Sequence, residues 1–227
     1  MLSAVPGPAC AGHILVGMPK IVGGSLAEHR EQTRERIFAA LARLAGERGY
    51  HAITLAEVAA AAEVGRTAMY NYFPDKESLL LAFAEHETGG YLRELTAALA
   101  ELDNPVDKLA TYVRLHIRVF ATRHMPPSSA LRPLLSEQGR SRVLDHVAEL
   151  EATLRRVLSA GMDQGYLPAA ELDALVPLVT ACVSGRSLAG LDERALAEAT
   201  EHTVGFVLRG VGARLGPGGN PRRLPRR

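Results

Sequence analysis

Apolar residues recur along most of this chain at helical spacing. Ile37, Leu41, Leu44 and Ala45 fall on one face of a helix. That helix opens at the capping box Ser25-Leu26-Ala27-Glu28, runs to about Arg48 and stops at Gly49. A second capping box, Thr54-Leu55-Ala56-Glu57, opens a short helix to about Ala62, and another short helix follows from Arg66 to Phe73. Asp75 is the expected N-cap of a long helix to about Leu102. Asn104-Pro105 opens the next, to about Arg123. After the break at Met125-Pro126-Pro127, a short helix is expected around 128–135. A long amphipathic helix over 140–164 follows, carrying Val143, Val147, Leu150, Leu154, Val157 and Leu158. Gly165 and Pro168 end it. Two more helices are expected at about 171–189 and 193–214. No strand-like alternation and no internal repeat stands out, so the expected class is all-α with about nine helices.

The chain has 227 residues, 47% of them hydrophobic, enough for a sizeable core. No apolar run reaches the ~18 residues of a membrane span, and the start is not positively charged, so a cytoplasmic protein without membrane contact is expected. Cys10 and Cys182, the two cysteines, do not make a disulfide framework. Residues 1–24 are rich in Gly, Pro and Ala and read as a disordered arm, with Met18 an alternative start. Residues 216–227 read as a disordered basic tail ending in Arg222 to Arg227, a candidate non-specific phosphate anchor. Net charge is +1, and residues 25–78 hold seven basic and eight acidic side chains. Any contact with a polyanion must therefore rest on local placement of charge and hydroxyls.

Such placement is found in Thr54–Lys76. Leu55, Val58, Ala59 and Ala62 face Val64, Met69 and Phe73 across the tight stretch 62–65. Two helices this short need a third to pack on, and the stripe at 37–45 supplies it. The result is a three-helix unit whose second short helix can enter a major groove. Arg66 and Thr67 begin that helix, and Tyr70 and Asn71 project one turn later. Gly65 offers a backbone amide, Arg66 suits guanine, and Thr54, Tyr72 and Lys76 are candidate phosphate contacts.

In order and spacing, Thr33 to Ile37, Glu47 to Tyr50, Ile53-Thr54, Val58-Ala59, Val64 to Phe73 and Asp75 to Leu80 resemble the N-terminal domain of the TetR family of transcriptional regulators. The resemblance covers about residues 30–82. It implies a homodimer that reads a palindromic operator in double-stranded DNA, most often as a repressor. It further implies a larger helical domain, residues 79–215, that dimerises and takes a small-molecule effector. Glu63 stands where the family often has Gly, and Gly65 where it often has Ser.

Beyond residue 83 the likeness is one of helix count and order. Candidate effector-pocket residues are Tyr112, His116, Arg123 and His146. The last two helices are the expected dimer interface, through Val176, Val179, Val183, Ala195 and Ala199. There is no HxxxH pair and no cysteine cluster, so no metal site is expected, and no cofactor either. No nucleophile elbow, Gly-rich phosphate loop or paired-carboxylate motif appears, so no catalytic residues are assigned. A ligand-independent DNA-binding regulator and an all-helical enzyme stay open as alternatives. A filled pocket would favour the first, and turnover of a compound the second.

Overall fold

A computed structural model describes residues 26–122, 131–184 and 191–225. The arm at 1–24, Ser25 of the first capping box, and Arg226 and Arg227 lie outside the described residues. The fold is all-α. Its described α-helices are α1 (Leu26–Arg48), α2 (Leu55–Ala61), α3 (Arg66–Tyr72), α4 (Lys76–Ala100), α5 (Pro105–Thr122), α6 (Glu137–Asp163), α7 (Leu172–Ser184) and α8 (Glu193–Gly210).

Local signals place the helix starts. Thr54 closes the expected capping box: its amide donates to Glu57 Oε2 at 2.8 Å, and the Glu57 amide donates to Thr54 Oγ1 at 3.3 Å. Asp75 caps α4 by accepting from the Ser78 amide at 2.7 Å, Ser136 caps α6, and Asp192 caps α8. The end of α2 is less ordinary. Glu63 has φ 56°, in the left-handed region. Its amide donates to Ala60 O at 3.2 Å, and the Val64 amide donates to Ala59 O at 2.9 Å. This is a Schellman motif with a glutamate where glycine is unstrained.

Two apolar cores result. The first, the head, joins Ile37, Phe38 and Leu41 of α1, Val58 of α2, Met69 of α3, and Phe73, with Leu79, Leu80 and Phe83 of α4. Leu131 and Leu135 are buried in it as well, and Val143 packs against it. The second, the body, is built around α5, which lies against α4, α6, α7 and α8. It contains Tyr91, Leu95, Tyr112, Val113, Leu154, Leu158, Val179 and Val207. The expected boundary at 78/79 is therefore displaced. Phe83 still belongs to the head and Tyr91 to the body, so the division falls within α4. The long helices α4 and α6 each run through both cores, because a helix of 25 or 27 residues is longer than one small core is wide.

The tail departs from the expectation of disorder. Arg214–Leu215 and Pro221–Arg222 pair as antiparallel strands, with Gly218 and Gly219 at φ 83° in the turn. Beyond them the Leu224 amide donates to Gly165 O at 2.8 Å, and the Arg223 guanidinium lies 5.4 Å from the Tyr166 ring centroid. These contacts fasten the tail to the C-terminal end of α6. The N-terminal end of α6 touches the head, and 27 residues at about 1.5 Å each separate the two ends by roughly 40 Å. Arg222 and Arg223 therefore lie at the end of α6 that is away from the head.

Candidate nucleic-acid interface

The inward side of α3 is apolar and locked. Met69 is fully buried, and Phe73, just past the helix end, packs with its ring centroid 5.9 Å from that of Phe38. That fixes which residues face out. Arg66, Thr67 and Asn71 are exposed, and Tyr70 keeps 45% of its surface in solvent. Gly65, the N-cap, makes no side-chain cap, and a Cβ built on it meets nothing within 4 Å. The backbone is therefore open to close approach there. An α-helix with its side chains is about 10–12 Å across, matched to a major groove about 12 Å wide.

The flanking candidates differ in their freedom. Tyr72 is half-buried, leaning on Phe73 with the Arg30 guanidinium 5.7 Å from its ring centroid. Thr54 is exposed, but its hydroxyl already donates to Glu57 Oε2 at 2.8 Å. Glu57 also accepts from Arg48 at 2.8 Å. The Thr54 bonds, then the Arg48 bond, pull the Glu57 carboxyl down to about 2. Lys76 is partly buried and donates from Nζ to His51 O at 3.0 Å. Burial holds its pKa below the usual lysine value, with Glu57 opposing. Lys76 thus braces α4 against the turn before α2, with two N–H bonds of its ammonium left to give. Arg30, exposed on the first turns of α1, is a neighbour that the sequence reading does not include. Nothing local connects it to Tyr72; only the packing of α1 beside α3 does.

The effector candidates come together only in part. Tyr112 and His116 are neighbours on α5, both almost completely buried, with stacked rings 5.9 Å apart. Phe120 stacks on the other side at 4.4 Å. His116 Nδ1 lies 3.2 Å from Tyr91 Oη, and Nε2 lies 3.0 Å from Ser184 Oγ. Burial pushes the imidazole down to about 4, so it is neutral near pH 7. Arg123 and the side chain of His146 lie outside the described residues.

The expected dimer residues require correction. Val176, Val179 and Val183 are at most 3% exposed within a single chain and belong to the body's own core. Their regular spacing on α7 is the stripe that packs inward. Ala195 and Ala199 are only half-buried. The outward apolar residues of these helices are Leu178, 63% exposed, and Phe206, 60% exposed, with Ala174, Ala181 and Ala197 also open.

Residues 37–83 match the pattern of bacterial regulatory proteins of the tetR family. They span the end of α1, both short helices and the head's share of α4. Over that stretch the chain carries the N-terminal pattern of the tetR family. Among curated proteins it resembles the HTH-type transcriptional regulator HbdR of Aromatoleum sp. (strain CIB), at 28% identity over 114 residues, half of each chain. It thus spans about half the length of that relative. The TetR-family regulator PfmR of Thermus thermophilus superposes with a TM-score of 0.68 at 22% identity, over 77% of this chain and 97% of that one. A putative transcriptional regulator of Saccharomonospora viridis, solved in complex with choline, superposes with a TM-score of 0.69 at 19% identity, over 81% of this chain and 100% of that one. At these identities the two structures speak for the fold.

Proposed function

We propose that this chain is a regulator of the tetR family, homodimeric and sequence-specific, that represses transcription from a palindromic operator and is released by a small molecule. The observation that carries the reading is α3. Its inward residues are fixed in the core, while Arg66, Thr67, Tyr70 and Asn71 stand together on the outward side. Arg66 and Asn71 have the donors and acceptors that discriminate base edges, and Lys76 and Tyr72 flank them as phosphate contacts. Two copies joined through the outward faces of α7 and α8 would present two such helices. Exposed Leu178 and Phe206 support that mode of pairing. The choline complex of the Saccharomonospora viridis regulator supports an effector. For this chain the candidate surroundings are Tyr112 and His116. The helix that passes both cores, α4, joins them to Lys76, so a molecule that favours one setting of α4 shifts the heads.

The test is footprinting of the purified full chain on the DNA upstream of its own gene, with sedimentation alongside. A protected two-fold sequence and a dimer of about twice 24.3 kDa are expected. Equal affinity for the upstream and scrambled duplexes would sink the reading. Spin labels on the two heads test this role of α4: an effector that releases DNA without changing their separation refutes it.

A further inference from the structure

We propose that Glu31, Glu35 and His86 form a divalent-cation site that ties α1 to α4. Glu31 and Glu35 stand one turn apart on α1, so both carboxylates rise from the same face. His86 reaches them from α4. One ligand atom from each residue lies within 4.8 Å of the other two, and His86 Nε2 is 3.5 Å from Glu35 Oε2. Ligands held about 2.1 Å from a tetrahedral ion stand about 3.4 Å from one another. The His86–Glu35 pair already has that spacing, and Glu31 reaches it by a change of rotamer on an exposed side chain.

The imidazole is the fixed member of the set. Its ring is half-buried against Phe38, with centroids 4.9 Å apart, and Nε2 is turned to the carboxylates. Phe38 belongs to the head core, so the position of His86 follows from the packing of α1 on α4. The competing charge is Arg34. Its Nη1 lies 3.8 Å from Glu31 Oε2, and its guanidinium lies over the Phe38 ring. That pair is exposed and its members are three residues apart on one helix, so it is readily exchanged for a doubly charged ion. One imidazole and two carboxylates suit a borderline first-row cation such as zinc. They offer too few oxygens for calcium. Three protein ligands leave one position for water. The ligands are 51 residues apart in sequence (35 to 86), which is why no motif announces them.

The probe is cobalt, titrated into the metal-free full chain, followed by visible absorption and then displaced with zinc. One equivalent with a tetrahedral-type spectrum is expected, together with a zinc-dependent rise in Tm. His86→Ala should weaken binding at least tenfold. Because His86 packs on Phe38, Glu31→Gln is the cleaner variant. It removes one ligand from the surface and leaves that packing intact, and it too should weaken binding at least tenfold without changing the metal-free Tm. Cobalt isotherms unaltered by Glu31→Gln and Glu35→Gln overturn the proposal, even if His86→Ala lowers affinity. Binding that survives all three variants belongs to other histidines or cysteines and overturns it as well.

Discussion

In the head, Tyr70 and Asn71 stand on a seven-residue helix and point to solvent; in the body, Tyr91, Tyr112 and His116 face one another away from it. Both regions are helical and both gather polar aromatic groups. The head spends its apolar residues on holding α3 in place, so its polar residues are left for something outside the molecule. The body closes His116 on polar groups of its own. The His116 ring nitrogens are matched by Tyr91 and Ser184 within the chain. A substitution on the outer side of α3 should therefore change binding and leave stability alone. A substitution among the body's rings should change stability first.

The largest effects test whether the two regions are thermodynamically separate at all. Phe38→Ala in the head and Tyr112→Ala in the body each remove a buried ring and should cost about 3–5 kcal/mol. Because α4 and α6 run through both cores, each variant should lower the melting temperature of one shared transition. Calorimetry checks this. Two transitions, with each variant moving only its own, would show that the head folds independently of the body.

His116 gives the next effect, and its sign is definite. Its folded pKa, about 4, lies below the ordinary histidine value of 6.5, because burial disfavours the imidazolium. Between these values the unfolded chain takes up the proton and the folded chain does not. The stability in question is thus fully present above about pH 6.5 and falls away as the pH drops toward 4. Each unit of that window is worth about 1.4 kcal/mol, or about 3 kcal/mol over its length. Urea unfolding at pH 7 and pH 4.5 should show a much smaller loss for His116→Gln than for the unaltered protein. Equal losses would mean that His116 is protonated in the folded body.

Arg66 sharpens the contrast from the head's side. Arg66→Ala should cost about 1–3 kcal/mol on the operator and relax preference at one position per half-site. Its effect on stability should stay within about 0.5 kcal/mol, since the side chain is exposed. Lys76→Ala should weaken operator and scrambled DNA alike and reduce the salt slope by about 1. Titrations on both duplexes at several salt concentrations separate the two. Loss of both affinities in equal measure with Arg66→Ala would make Arg66 a phosphate clamp.

The same contrast explains what the sequence made legible. The Thr54 and Glu57 capping box, the Asp75 cap and the apolar positions of α2 and α3 are local signals, and local hydrogen bonds realise them. They also determine which side of α3 is free, so the outward candidates can be read from spacing. Three of the dimer candidates are instead covered by the chain's own core. Val176, Val179 and Val183 do form one apolar stripe, but periodicity does not say whether a stripe is covered by the same chain or by another. Leu131 and Leu135 in the head, and the joining of Glu31 to His86, depend on tertiary packing between distant segments. The tail hairpin is invisible in the sequence because two residues per strand are too few to show alternation.

The smallest predicted effect lies where both regions solve one problem with different residues. Each ends a helix in a Schellman motif. At the end of α6 the left-handed position is Gly165, φ 74°, and the Tyr166 amide donates to Gly161 O at 2.8 Å. At the end of α2 the left-handed position is Glu63, φ 56°. A side chain with a Cβ costs about 1–2 kcal/mol in this region, and glycine avoids the clash. Glu63→Gly also makes the unfolded chain more flexible, which returns part of the gain. The net expectation is a stabilisation of about 0.5–1 kcal/mol. Glu63 is exposed, so the substitution removes no core packing. The reverse exchange, Gly165→Ala, should destabilise by about 1 kcal/mol. A Cβ at Gly165 meets nothing within 4 Å, so its penalty would come from the backbone alone. If both substitutions were neutral in urea unfolding, the two helix ends would be adapting their backbones rather than holding them. If Glu63→Gly instead lowered stability, the glutamate would be held by an interaction strong enough to outweigh its strain.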